Sequence, residues 1–385
     1  MATIHRTGSV SGGEDEEAEM KKVSVGVDLH KRQFTVFFRP FGEEGNHARF
    51  CIYPDGYRRF IEVLRKYGQH GYQVKVAVES TGNTRYFKNV VEGEGFPVVV
   101  INTLKFKVVN ESVKKTDRHD AQTIAEFLEK DMLPEAKLCS QQSEELRRIL
   151  KTRQTLVRSI VSIKNQIHGL LLGYGWEIRR RGLNSQKARR QLLVVLEEHE
   201  HAGATVKPLL EIIDGLEKQV KELERILSSL VEEDRVVELI QSIPGAGLIT
   251  AASIRAYIDD IQRFESFKQF SSYAGLVPRV QCSDTIEHYG RITKRGPERL
   301  RTAMVQLVLG MIRSRRTAEY RIVKRYAVMK AQKGSGKSII AMARKLSKII
   351  WYMLKNDTPF DPFRMTDPHI VQTAREMIAA ADDAA

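Results

Sequence analysis

Two short apolar runs in this chain each end in a carboxylate. Val23-Ser24-Val25-Gly26-Val27 leads into Asp28, and Val74-Lys75-Val76-Ala77-Val78 leads into Glu79. Val-rich runs of this length read as buried strands of a sheet covered by helices. The ends of these runs restrict the fold further. A carboxylate closing a buried strand costs desolvation free energy unless a positive group meets it. Two more acids, Asp117 and Asp120, lie in Lys115-Thr116-Asp117-Arg118-His119-Asp120 at the head of a predicted helix. Residues three apart on a helix point the same way, so both can reach one cation cluster. Divalent cations satisfy carboxylates of this kind, and Mg²⁺ suits such hard oxygen donors. Two metals about 3.5–4 Å apart are also a means of cutting phosphodiesters. Taken singly, each acid has a plainer explanation: Asp117 and Asp120 as parts of a helix cap, Glu79 as half of an ion pair. A strand-end pair together with an acidic pair on one helical face favours the shared cation site.

The surrounding pattern alternates strand and helix from 23 to about 137. Segments 23–28 and 34–39 are predicted strands joined by the tight turn Leu29-His30-Lys31-Arg32, with 49–53 a third antiparallel strand. Helix is predicted over 57–67, 84–92 and 117–128, and buried strand over 74–79 and 96–102. Three leading strands followed by strand–helix units predict a mixed sheet with helices on its faces. Ligands of open α/β sheets gather outside the carboxyl ends of the strands, where Asp28 and Glu79 stand. Beyond this region the pattern turns helical. Segments 143–172 and 209–232 are two long amphipathic helices that can pair as a coiled coil or dimer arm, or pack internally as a bundle. The basic run Ile178-Arg179-Arg180-Arg181-Gly182 connects them. From 236, Ile243-Pro244-Gly245-Ala246-Gly247 between two helical segments reads as a helix-hairpin-helix element. Gly245 and Gly247 would let backbone N–H groups approach a phosphate, or serve the turn alone.

With 385 residues the chain is long enough for two or three domains, and 42% hydrophobic content makes it globular rather than disordered. A net charge of +14 points to a polyanionic partner, with nucleic acid the default. Cys51, Cys139 and Cys282 show no zinc-ligand spacing and no disulfide framework, as in a reducing cytosol. No membrane span and no signal peptide are expected, which predicts a cytoplasmic protein. The acidic segment 12–17 reads as part of a disordered tail, and 379–383 as a frayed end.

A different chemistry is predicted after Tyr273-Ala274-Gly275-Leu276-Val277-Pro278. Arg279-Val280-Gln281-Cys282-Ser283-Asp284-Thr285 reads as a polar loop, followed by the basic turn His288-Tyr289-Gly290-Arg291-Ile292-Thr293-Lys294-Arg295-Gly296. Taken alone, Ser283 beside Arg279, Arg291, Lys294 and Arg295 is either an ordinary surface serine or a nucleophile toward phosphodiesters, with the cations orienting phosphates. Two other motifs are weaker. Lys333-Gly334-Ser335-Gly336-Lys337-Ser338 resembles the end of a P-loop, but Ala331 stands where that loop needs Gly. Cys282 lacks the arginine six residues on that a phosphatase-type thiolate needs; His288 is there instead.

Val25-Gly26-Val27-Asp28, Val78-Glu79-Ser80-Thr81-Gly82 and Lys115-Thr116-Asp117-Arg118-His119-Asp120-Ala121 together resemble the amino-terminal RuvC-like domain of DEDD transposases. These form the insertion-sequence family numbered 110. Ile243-Pro244-Gly245-Ala246-Gly247, Ala274-Gly275-Leu276-Val277-Pro278 and Gly290-Arg291-Ile292-Thr293-Lys294-Arg295-Gly296 resemble its carboxy-terminal transposase domain. The likeness runs from about 23 to 356, with the motifs in the family's order. It implies a site-specific DNA recombinase whose acids Asp28, Glu79, Asp117 and Asp120 hold Mg²⁺, or Mn²⁺ in its place. It also implies a carboxy-terminal serine that attacks DNA, matched here to Ser283. A structured non-coding bridge RNA that pairs with donor and target DNA, and a homo-oligomer (dimer or tetramer), come with the resemblance. The family often has Ser-Ser-Gly where this chain has Cys282-Ser283-Asp284, so Cys282 takes the place of the first serine.

The expectation is α/β plus all-α. It comprises a RuvC/RNase H-like mixed sheet at 23–140, a long-helix coiled-coil region at 141–235 and a helical domain with the helix-hairpin-helix and serine loop at 236–360. Tails at 1–22 and 361–385 flank these. The expected function is transposition by metal- and serine-dependent phosphoryl transfer through a covalent serine intermediate. The alternatives are a RuvC-like structure-specific endonuclease that uses water, or a non-enzymatic nucleic-acid-binding scaffold.

Overall fold

The computed structural model describes residues 21–109, 116–179, 181–283 and 286–365. The acidic segment 12–17, Lys115, Arg180, Asp284, Thr285 and the end at 379–383 lie outside these residues. The chain divides after Leu138 into two compact units.

The first unit is a five-stranded mixed sheet with helices on both faces. Its strands are β1 (Lys22–Leu29), β2 (Gln33–Pro40), β3 (Asn46–Cys51), β4 (Gln73–Glu79) and β5 (Val98–Ile101), in the spatial order β3-β2-β1-β4-β5. β1, β2 and β3 pair antiparallel, while β4 runs parallel to β1 and β5 parallel to β4. Helices α1 (Pro54–Gln69), α2 (Thr84–Gly93), α3 (Thr103–Val109) and α4 (Asp117–Glu129) complete the unit. Of these only α3 has no counterpart in the sequence reading.

The side-chain period of two divides β1 between two environments. Val23, Val25 and Val27 enter an aromatic core with Phe34, Phe38, Phe60 and Phe87, closed by α1 and α2. Ser24, Gly26 and Asp28 therefore face the other side, where α4 packs. β4 is divided in the same way. Val74, Val76 and Val78 join the aromatic core. Ala77 packs with Ile101, Ile124 and Leu128 on the α4 side, which puts Glu79 there too.

Gly26 sets how closely α4 lies on the sheet. A Cβ at this position would overlap the Ala121 carbonyl and reach 3.1 Å from the Ala125 Cβ. Small residues on both partners thus bring backbone against backbone. At its far end α4 is tied to β2, where Arg39 Nε donates to Glu129 Oε2 at 2.8 Å.

The second unit is largely helical. α5 (Gln141–Gly173) and α7 (Glu200–Leu230) pack along each other, with α6 (Gln186–Glu197) beside α7. Their core includes Ile160, Ile167, Leu171, Val206, Leu210 and Ile213. α7 begins earlier than the spacing predicts and passes through Pro208, giving up one backbone hydrogen bond. Arg189 on α6 is 1% exposed, and its guanidinium binds both Asp214 and Glu217 at 2.6 Å, so the buried charge is paired. The remaining helices are α8 (Arg235–Gln241), α9 (Leu248–Ile258), α10 (Phe267–Tyr273), α11 (Glu298–Arg313), α12 (Arg321–Lys333) and α13 (Ser335–Lys355), gathered on one apolar core. Of the P-loop-like glycines, Gly334 lies between α12 and α13 and Gly336 in the first turn of α13, with no strand before them.

One segment differs in kind from the expectation. The predicted polar loop and basic turn form a β-hairpin of β6 (Pro278–Ser283) and β7 (Ile286–Ile292). Ser283 pairs with Ile286 and Cys282 with Glu287 across the two strands.

Gly26→Val is expected to lower the unfolding free energy by about 1–3 kcal/mol, the usual cost of overpacking. Urea unfolding measures this; an unchanged midpoint would mean that α4 does not sit against β1 in this way.

Candidate metal centre

The register of the sheet brings the first two acids together. Val27 of β1 pairs with Val78 of β4, so the next residues, Asp28 and Glu79, leave adjacent parallel strands side by side. Both lie on the α4 face, at the carboxyl edge of the sheet. The head of α4 supplies the other two. Its N-cap is Thr116, whose hydroxyl accepts from the His119 N–H at 3.3 Å. Asp117 and Asp120 occupy the first turn, where the positive end of the helix dipole favours negative charge.

His30 joins this group. Its Nε2 lies 2.9 Å from Asp28 Oδ2 and 3.4 Å from Asp117 Oδ1. Ligand atoms of Asp28, His30 and Asp117 all fall within 4.8 Å of one another, the spacing of donors that share a cation. From the sequence, His30 reads as a turn residue. The turn itself is real: the His30 N–H donates to the Gln33 carbonyl at 3.0 Å, and Asn83 Nδ2 donates to the His30 carbonyl at 3.2 Å. The available signal was spacing, since His30 follows Asp28 by two residues and leaves the strand on the same side.

The electrostatics leave room for more positive charge. Burial holds the Asp28 carboxyl above its ordinary range; His30 opposes this, while Asp117 and Asp120 reinforce it. Burial raises Glu79 as well, reinforced by the charges of Asp28 and Asp120 and partly offset by Lys107 and His30. Among the described residues, four carboxylates thus lie with one imidazole and one lysine. Thr35 pairs directly with Asp28 across β1 and β2, and its buried hydroxyl has no hydrogen-bond partner among the described residues. A hydrated divalent cation fits this set. It would neutralise the acids, and its water shell can give Thr35 a partner. Carboxylate oxygens suit Mg²⁺ and Mn²⁺, while the imidazole nitrogen favours the softer member of that pair.

The other candidate residues lie in the second unit. Arg279 of β6, Arg291 of β7, and Lys294 and Arg295 just beyond are all exposed. Gly296 packs against the Tyr273 carbonyl, too closely for any Cβ, which anchors the foot of the hairpin. Gly245 has φ 91° and fits against Gly310 of α11, where a Cβ would lie 2.6 Å from the Gly310 carbonyl carbon. Gly247 caps α9, and the space around it is open.

The fold and its acid cluster define the class: a RuvC/RNase H-like α/β domain equipped for metal-dependent nuclease chemistry. Comparison with known families is more specific. A DEDD transposase model matches residues 25–175, and a model of the Transposase IS116/IS110/IS902 family matches 237–323. The transposase for insertion sequence element IS1111A of Coxiella burnetii is 28% identical over 289 residues, covering 72% of this chain and 77% of its own. A probable family 20 transposase of Pseudomonas aeruginosa is 25% identical over 292 residues, covering 74% and 86%. A pilin gene-inverting protein of Moraxella lacunata is 25% identical over 354 residues, covering 89% and 98%. The chain carries an IS110/IS902-family DEDD transposase domain, and several bacterial insertion-sequence transposases match it.

The expected covalent serine intermediate does not stand. Donors for a divalent cation are already assembled in the first unit by Asp28, His30 and Asp117, inside the 25–175 match that carries the DEDD acids without Ser283. Ser283 lies in a paired strand, where an open loop was expected. The enzymatic chemistry is metal-dependent, as in the endonuclease alternative.

Raised carboxyl pKa values fix the sign of a stability effect. Below about pH 3, under the ordinary carboxylate range, Asp28 and Glu79 are largely neutral folded or unfolded and detract nothing. As pH climbs through their raised values, metal-free protein loses stability. Glu79→Gln is therefore expected to raise the metal-free melting temperature at pH 7 and to shrink the further rise on adding Mn²⁺. A lower metal-free melting temperature in thermal scans would contradict the charge crowding.

Proposed function

We propose that this chain is a metal-dependent DNA endonuclease of RuvC-like type, acting within an insertion-sequence transposase and using water as the nucleophile. The convergence of Asp28, His30 and Asp117, with Glu79 and Asp120 beside them, carries this reading. When bound, Mg²⁺ or Mn²⁺ supplies charge neutralisation at the scissile phosphate and makes water a stronger nucleophile. The protein's part is placement. Asp28 and Glu79 stand on rigid strand ends, and Asp117 and Asp120 on a capped helix turn, so four oxygen donors keep fixed directions. His30 adds a nitrogen donor and holds Asp28 by hydrogen bond. Water delivers its oxygen to phosphorus, the P–O bond to the leaving 3′ or 5′ oxygen breaks, and that oxygen takes up a proton.

Further parts of the reading concern partners. DNA is the substrate, a structured RNA is its guide, and the long helices α5 and α7 form an oligomerisation arm. The turn 243–247 acts as a helix-hairpin-helix contact to phosphate, and the hairpin cations Arg279, Arg291, Lys294 and Arg295 line a nucleic-acid path. Residues 23–140, 141–235 and 236–360 would then be the metal-binding, arm and helical domains, in a protein of the bacterial cytoplasm and nucleoid.

Asp28→Ala is expected to abolish divalent-dependent strand cleavage, by 10²-fold or more as is typical for loss of a transition-state charge stabiliser. Wild-type products on a denaturing gel should be free DNA ends. DNA that migrates only after protease digestion would sink the water mechanism.

A further inference from the structure

Most of the chain's positive excess sits in one stretch. Between Arg313 and Lys355 thirteen residues are Lys or Arg and one, Glu319, is acidic, against a net charge of +14 for the whole chain. Ten of the thirteen lie on α12 and α13. These helices pack together and are joined at Gly334, whose φ of 78° reverses the chain. Their apolar residues, among them Ile322, Met342, Leu346 and Ile350, turn inward.

What remains outside is strongly cationic. Arg321 and Arg325 stand one turn apart on α12, and Lys345 and Lys348 on α13; all four are exposed. Neighbouring Lys324 takes Glu319 at 2.8 Å, and none of the four has an acidic partner among the described residues. Lys348 lies 4.9 Å from the Phe267 ring centroid and 5.7 Å from that of Tyr352, so aromatic faces support it in place of an acid. The packing of α12 against α13 sets the two exposed pairs on adjoining helices, and burial, then Arg325, Arg321 and Lys348, hold the Lys345 ammonium below the ordinary lysine range. Like charges held together on packed helices cost free energy that a polyanion would offset.

We propose that Arg321, Arg325, Lys345 and Lys348 form a docking face for the phosphodiester backbone of duplex DNA. A duplex suits the face better than a single strand. The charges sit on rigid elements at fixed spacing, and Tyr352 is the only largely exposed aromatic ring on the two helices, so no stacking platform is offered to unpaired bases. The choice of DNA rests on the proposed endonuclease reading; the choice of a phosphate backbone does not. Recognition at this face is independent of base sequence, since point charges on phosphates position a duplex without reading it.

The test is fluorescence anisotropy with a labelled DNA duplex of arbitrary sequence, without divalent metal, over a salt series. Asp28→Ala protein serves as the background, so binding is read whether or not the chain cuts. Arg325→Gln with Lys345→Gln is expected to weaken binding roughly tenfold near 0.1 M salt and to reduce the slope of log affinity against log salt by about 1.8. Arg325→Lys with Lys345→Arg should retain both. The glutamine pair should melt no lower than its parent, because repulsion has been removed. An unchanged affinity and slope in the folded glutamine variant overturns the docking face. A loss confined to a labelled RNA hairpin, with duplex DNA binding intact, overturns the DNA assignment.

Discussion

The first unit depends on one close approach. α4 reaches the sheet only because Gly26 presents no side chain and Ala121 and Ala125 present little. That contact sets the height of the helix above β1, and the height sets where its first turn ends. Asp117 meets His30 and Asp28 because the helix is seated this low. The site's geometry is therefore a packing property before it is a chemical one. Arg39, bonded to Glu129 at the other end of α4, keeps the helix from pivoting about the contact.

Electrostatics act on that frame in the opposite direction. Burial, reinforced by the neighbouring carboxylates, disfavours the charge on Asp28 and Glu79. The aromatic core on the sheet's other face supplies stability that offsets this crowding. Phe34 alone stacks or meets edge-on with Phe50, Tyr57, Phe60 and Phe87. The acid cluster and the stabilising core thus occupy opposite faces of the same strands, and a cation bound at the cluster would reverse the sign of the crowding.

Where burial is one-sided, the sequence was readable. The Val runs of β1 and β4, their terminal acids and the acidic pair of α4 all follow from period-two and period-3.6 patterns. The segments that become β6 and β7 show no clear apolar alternation in sequence, so Arg279, Gln281 and Glu287 read as loop. That misreading also lent Ser283 the freedom its proposed role required. α7 was cut short at Pro208, a residue that ends most helices but is tolerated here. His30 escaped because a single histidine in a turn has no periodic signature; only the strand geometry shows that it faces the acids. Gly245 takes a φ of 91° in its turn, yet the partner that leaves no room for a Cβ there, Gly310, lies far along the chain.

The alternation along β1 also guards against misassembly. A slip of one residue would turn Val25 and Val27 toward α4, where Gly26 now leaves no room. The same slip would drive the Asp28 carboxylate into the ring cluster of Phe34, Phe60 and Phe87. Either fault alone costs several kcal/mol by overpacking and by burial of an unpaired charge. The acid at the end of β1 therefore also proofreads the sheet: a chain folded out of register cannot hide its error.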